Sequence, residues 1–204
     1  MILSTLHRAD WNSIEQFVTP NAKVLDLGCE DGSLLAQLKK SRNIQGRGVE
    51  IDQKKILSCI EKGIPVFQSD LDAGLSDYGD HTFDFVILSL TLQVVFEPEM
   101  LIKEMLRVGK KVIVSIPNFG HWQMRYQLFF NGVSPKSSHL PYEWHNTPNI
   151  RFITIHDFKI FCKRLNIHME GISHTCISGG TTASFLARLF PNLFSEVSVF
   201  LLSA

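Results

Sequence analysis

The sequence predicts an α/β fold: a doubly wound, mostly parallel sheet with helices on both faces. Three observations predict it. Short apolar runs recur along the chain and close on glycine, serine or an acid. Segments with helical spacing of apolar residues separate these runs. One run, 83–89, is apolar almost throughout, as expected of a strand covered on both faces.

The elements follow in order. Trp11, Ile14, Phe17 and Val18 repeat at helical spacing, and Pro20 ends that helix. Lys23 to Leu27 is a strand closed by Gly28. A helix over 33–40 turns Leu34, Leu35 and Leu38 inward, and 46–51 is the next strand. Asp52 N-caps a helix running to Glu61, with Gly63 just beyond its end. Strands are expected at 64–67, 83–89 and 111–116, with a helix opened by Pro98 and running to Val108. Residues 118–150 then break the pattern with Gly120, Gly132, Pro135, Pro141 and Pro148 among several aromatic rings. A helix over 156–166 carries Phe158, Phe161, Cys162 and Leu165 on one face. Two last strands, 167–177 and 197–202, enclose an apolar helix whose Leu189, Phe190, Leu193 and Phe194 are expected in the core. The alternation is that of a Rossmann-like sheet.

At 204 residues and 23.1 kDa the expectation is one domain over 1–204, with 118–150 as an irregular aromatic insertion. Lys plus Arg equals Asp plus Glu at 20 each, which argues against a nucleic-acid binder working by backbone neutralisation. Four cysteines, none at CxxC spacing, read as reduced thiols of a cytoplasmic protein. The start, through His7, Arg8 and Asp10, is too polar for a signal peptide, and no apolar run is long enough to span a membrane. His121, His139 and His145 are separated by 18 and 6 residues, which matches no helical metal-ligand pair, so no metal is expected.

In such a sheet the ligand lies beyond the strand C-termini. Asp26, Gly28, Glu30 and Gly32 form or adjoin the first strand-to-helix turn. Glu50, followed by Ile51, ends the second strand 24 residues after Asp26, where an acid accepts from a ribose diol. Asp70 and Leu71 follow the third strand, where Asp70 is placed to accept from an exocyclic amine. The loop lacks the G-x-G-x-x-G spacing of a pyrophosphate cofactor, and its acids Asp26, Glu30 and Asp31 would repel phosphate. S-adenosylmethionine carries a sulfonium, an ammonium and an adenosine without phosphate, and suits them. Ser89 either closes its strand or touches that cofactor. Cys29 reads as a packing residue. His121 is a candidate base beside a methyl acceptor or a structural histidine, and Asn118 is a second catalytic candidate. Trp122, Tyr126, Tyr142 and Trp144 either roof an acceptor pocket or form a partner surface.

The D-x-G-x-x-x-G loop with Glu50 and Asp70 resembles the S-adenosylmethionine site of class I methyltransferases. Segments 71–75, 86–89, 91–93 and 104–109 resemble one branch of that superfamily, the MetW methionine-biosynthesis proteins. So do Pro117-Asn118-Phe119-Gly120-His121-Trp122, 140–144 and Thr147-Pro148-Asn149-Ile150. The resemblance implies a class I methyltransferase fold that binds S-adenosylmethionine, with S-adenosylhomocysteine as product of any turnover. It implies a role in methionine synthesis and association with homoserine O-acyltransferase. It matches Asp26, Gly28 and Gly32 to the cofactor loop, Glu50 to the ribose acid, and Asp70 with Leu71 to the adenine contacts. The sequence departs from the family at Glu30, where the loop carries glycine, and at Leu90, where a polar residue is usual. Glu30 then points outward, pairs with the ligand ammonium, or occludes the pocket.

Overall fold

A computed structural model describes residues 9–137, 140–176 and 181–204. His139 and the predicted end of the penultimate strand, Ile177, lie outside the described residues. One sheet of seven strands organises the chain, in the order β3-β2-β1-β4-β5-β7-β6. The strands are β1 (Lys23–Leu27), β2 (Gln45–Glu50), β3 (Val66–Gln68), β4 (Phe83–Ser89), β5 (Gly109–Pro117), β6 (His168–Thr175) and β7 (Val197–Ser203). The first five run parallel, while β7 inserts antiparallel between β5 and β6. This is the doubly wound sheet expected from the sequence, with one reversed strand near its edge.

The helices are α1 (Ala9–Phe17), α2 (Ser33–Arg42), α3 (Gln53–Glu61), α4 (Pro98–Val108), α5 (Trp122–Tyr126), α6 (Ile155–Arg164), α7 (Thr181–Leu189) and α8 (Pro191–Phe194). Side chains alternate across each strand, so each strand feeds two cores. Leu25, Leu27, Val86, Leu88, Val112 and Val114 meet α4 and α6 on one face. Val24, Phe85, Ile87 and Ile113 meet α1 and α2 on the other. Asp26, Ser89 and Ser115 occupy positions of that second face, two residues beyond Val24, Ile87 and Ile113.

Local signals explain the helix ends. The Asp52 carboxylate accepts from Lys54 N–H at 2.8 Å and caps α3, and Gly63 follows it in the left-handed region. Thr154 and Asp157 form a reciprocal capping box on α6. Within the segment read as irregular, α5 forms at Trp122 and widens into a π-type turn over Gln127–Asn131, which Gly132 ends. Periodicity did not reveal it because Trp122, Tyr126, Phe129 and Phe130 all face solvent, so the inward apolar stripe of a core helix is missing. The expectation that Leu189 and Phe190 are core residues is corrected. Both are more than half exposed, and Leu193 and Phe194 are only partly buried. Pro191 starts a new helix there instead of letting α7 continue inward.

Close packing under the first loop depends on Gly48. A Cβ there would lie 2.3 Å from Cys29 Sγ. Gly48→Ala is therefore expected to cost about 1–3 kcal/mol of unfolding free energy through overpacking. Cys29→Ala in the same chain should return part of that loss, as measured by urea denaturation of the single and double variants.

Candidate functional site

The order of strands reverses between β1 and β4, so the cleft beyond their C-termini is the switch point of the sheet. Gly28 and Gly32, at φ 68° and 73°, carry the chain from β1 to α2. A Cβ on Gly28 would stand 3.1 Å from the Thr91 side chain, so glycine keeps the loop close to the turn after β4.

Glu50 is the anchor of the site. Its side chain is buried at 6 % exposure. Oε1 accepts from the N–H groups of Ile51 and Asp52 at 2.9 and 3.0 Å. Oε2 accepts from Glu30 N–H at 2.9 Å, across from the β1 loop. The carboxylate thereby ties the loops after β1 and β2 together and keeps acceptor capacity for a further donor. Ile51, the next residue, is exposed, and Leu71 is partly buried. Asp70 sits beyond β3, where its carboxylate accepts from Asp72 N–H and starts a 3₁₀ turn over Leu71–Ala73. Asp26 is buried at the second-last position of β1.

Glu30 adopts φ 50°, a left-handed conformation that costs a non-glycine residue about 1–2 kcal/mol. Its side chain is half exposed, with the carboxylate 4.0 Å from Lys55 Nζ on α3. The side chain thus lies toward α3 and partly in solvent. Beneath the loop, Cys29 and Cys59 are buried with sulfurs 3.8 Å apart. Burial, helped by the charge of Asp26, pushes the Cys29 thiol up, in keeping with its reading as a packing residue.

Ser89, at the tip of β4, donates to Asp10 Oδ2 at 2.6 Å, and Ser115 donates to the same oxygen at 2.7 Å. Asp10 is fully buried in the first turn of α1, and among the described residues its Oδ1 has no hydrogen-bond partner. Reading the N-terminal segment only for its polarity overlooked Asp10. A polar Ser115 inside an otherwise apolar strand was the signal that a buried polar partner existed. Leu90 follows at φ 48°, a strained conformation for a bulky residue, and its N–H donates to Ser115 Oγ at 3.0 Å. Its carbonyl accepts from Gln93 Nε2 at 2.6 Å. The Gln93 carbonyl accepts from the N–H groups of Ile150 and Arg151, whose guanidinium donates to Val95 and Phe96 carbonyls. Gln93 and Arg151 were also not singled out from the sequence.

Asn118 is buried and engaged on both sides of its amide, donating to Ser195 O at 2.8 Å and accepting from Gly120 N–H at 2.9 Å. His121 is buried at the N-terminus of α5, where Nδ1 lies 3.4 Å from Gln123 N–H. Burial lowers its imidazole below the usual value, against the pull of Glu196. Beyond these residues the surface is strongly apolar. Phe129, Trp144 and Phe152 are 81, 75 and 74 % exposed, with Phe96, Phe130 and Tyr126 also in solvent. Tyr142 and Trp122 are the least exposed of the rings singled out from the sequence, at 40 and 45 %. Among the described residues no three His, Cys, Asp or Glu side chains gather as a metal site requires, and no helix is long and apolar enough to cross a membrane.

The profile of a family described as methionine biosynthesis protein MetW matches residues 8–202. The chain belongs to the MetW family. A relative from Rhodopirellula baltica, the bifunctional methionine biosynthesis protein MetXA/MetW, is 40% identical over 170 residues, 79% of the chain. The chain spans about a quarter of that relative, 27% of its length. Among solved structures, an S-adenosylmethionine-dependent methyltransferase from Mesorhizobium loti superposes with a TM-score of 0.71 at 16% identity, over 97% of this chain and 99% of its own. One from Thermotoga maritima gives 0.68 at 16% identity, over 96% and 87%. The [4+2]-cyclase SpnF gives 0.65 at 14% identity, over 95% and 79%. At such identities the likeness shows the fold, which is that of class I methyltransferases, and leaves the reaction to be argued from the site. MetW membership and that fold both agree with the resemblance read from the sequence.

His174 in β6 adds a pH dependence. Burial, assisted by the charge of Lys159, pulls its pKa down to about 4. His174 is therefore held neutral in the fold and His121 is shifted in the same direction, while the unfolded chain protonates both at about 6.5. The unfolded state binds more protons below that value, so stability is full at neutral pH and falls as pH drops. Thermal midpoints should fall between about pH 7 and pH 5, above the main titration of the carboxylates. His174→Gln should flatten that slope.

Proposed function

We propose that this chain is an S-adenosyl-ligand-binding subunit that docks on a homoserine O-acyltransferase and supports its activity. The observation that carries the docking is the set of solvent-facing rings Phe96, Phe129, Phe130, Trp144 and Phe152, of which Phe129 and Phe130 stand 4.9 Å apart. Monomeric proteins rarely expose apolar patches of this kind unless a partner covers them. Aromatic residues are enriched in interface cores. The relative in which MetXA and MetW are parts of one bifunctional protein supports this reading, because fusion holds two partners at high effective concentration.

The cleft fits the S-adenosyl group. The Glu50 carboxylate is held by three backbone donors and keeps a free acceptor direction for the ribose hydroxyls. Exposed Ile51 and half-buried Leu71 offer apolar faces to an adenine, and Asp70 an acceptor for its amine. Gly28, at φ 68°, holds the loop backbone against Thr91 without side-chain strain. Ser89 stands at the β4 tip beside Gly28 and Thr91, while Glu30 and Gly32 set the shape of the loop. Bound, such a ligand supplies a sulfonium-activated methyl group. This chain's residues would orient it and exclude water.

Methyl transfer to a small acceptor is the second reading, favoured by that cradle. Its weakness is local. Asn118 is committed to the backbone around it, and His121 is buried at a helix start. Trp122, Tyr142 and Trp144 are better placed as a partner surface than as a closed roof, since all are exposed.

Calorimetric titration with S-adenosylhomocysteine tests the ligand. Glu50→Gln should weaken binding about tenfold or more, because it removes a charged acceptor. Glu30→Gly should leave affinity within about twofold, since that side chain faces Lys55. No heat from folded wild-type protein would end the ligand reading. Co-expression with a homoserine O-acyltransferase tests the partner. The two should co-elute on gel filtration with a raised acyltransferase rate, and Phe129→Ser with Trp144→Ser should abolish both. Separate elution at micromolar concentration, with the acyltransferase rate unchanged, defeats the docking reading.

A further inference from the structure

A cleft of about 340 Å³ lies between α5, the start of α6 and the α7–α8 turn. Its walls are apolar: Ile155, Leu189, Phe190 and Leu193. Leu189 and Phe190 are the residues that the apolar pattern assigned to the core and that the fold instead leaves in solvent. Arg125, His156 and Lys159 line it too, with Pro191 and Asn192, and among the described residues no acid does.

Among the described residues none of Arg125, His156 and Lys159 forms an ion pair with an acid. Asp157, next to His156, is committed to the capping box with Thr154. Arg125 donates through Nε to the Gly120 carbonyl at 2.6 Å, which fixes one edge of its guanidinium beside the cleft. The backbone N–H of His156 donates to Asn192 Oδ1 at 3.3 Å, joining α6 to α8 where both line the cleft. An apolar pocket at the small end of the ligand-binding range, with a cationic rim, selects a small molecule that is apolar at one end and anionic at the other.

We propose that this cleft binds a small amphiphile with a single anionic head, carboxylate or phosphate, and a short aliphatic tail. The tail lies against Leu189, Phe190 and Leu193, and the head meets Lys159 and Arg125. The site shares no residue with the S-adenosyl cradle and does not rest on that assignment.

The test is calorimetric titration of the full chain with butanoate, hexanoate, octanoate, hexyl phosphate and 1-hexanol. An anionic ligand should bind at least about tenfold more tightly than 1-hexanol. Affinity should rise about fourfold per methylene along the carboxylate series. Comparison of hexanoate with hexyl phosphate identifies the preferred head group. Lys159→Gln should erase most of the preference for an anion, and Leu189→Asp should abolish binding, with circular dichroism confirming that both variants fold. Equal affinity for 1-hexanol, indifference to Lys159→Gln, or the lack of a chain-length trend overturns the proposal. So does the failure of every probe to bind at millimolar concentration, which leaves the cleft to a protein segment. Because S-adenosylhomocysteine is titrated separately, loss of either ligand leaves the other assignment standing.

Discussion

The candidate site depends on one carboxylate. Glu50 collects three backbone N–H groups, from Glu30, Ile51 and Asp52, and so clamps the loop after β1 to the start of α3. Hydrogen bonds to a charged acceptor are stronger than neutral ones, and a buried acceptor with its donors in place is rigid. The rest of the local geometry follows from that clamp. Glu30 accepts a left-handed backbone because its N–H must point at Glu50. Gly48 lacks a side chain because Cys29 is pressed down beneath the same loop. Strain concentrated at a functional cleft while its supports lie in ordinary packing is a familiar arrangement.

A second set of hydrogen bonds joins the β4 side of this cleft to the backbone at exposed Phe96. It runs from Asp10 through Ser115 to Leu90, on to Gln93, and from there to Ile150 and Arg151. Arg151 ends on the carbonyls of Val95 and Phe96, the latter carrying an exposed ring. The turn after β4 is therefore shared by both regions. A ligand in the cleft and a protein covering Phe96 would each press on the same few residues, which gives the proposed docking a physical means of sensing the ligand.

Much of this was legible in the sequence because strand-forming runs announce where they stop. Gly28, Glu50, Asp70 and Ser89 each follow a short apolar run, and a parallel sheet places such ends along one rim. Three things were not legible. The reversed direction of β7 has no signature, since a strand covered on both faces is uniformly apolar in either direction. The helix α5 carries its large residues outward, contrary to the rule by which buried helices are recognised. The role of Asp10 depends on hydroxyls 79 and 105 residues away in sequence, beyond the reach of any local pattern.

That last feature constrains how the molecule can drift. A carboxylate with two buried hydroxyls on a single oxygen is one unit distributed over three distant positions. Replacing Asp10 alone would strand both serines, and enlarging Ser89 or Ser115 alone would crowd the acid. Inheritance of this fold should thus show the three positions changing in concert or not at all, with the opening helix as bound to the middle of the sheet as any two adjacent strands.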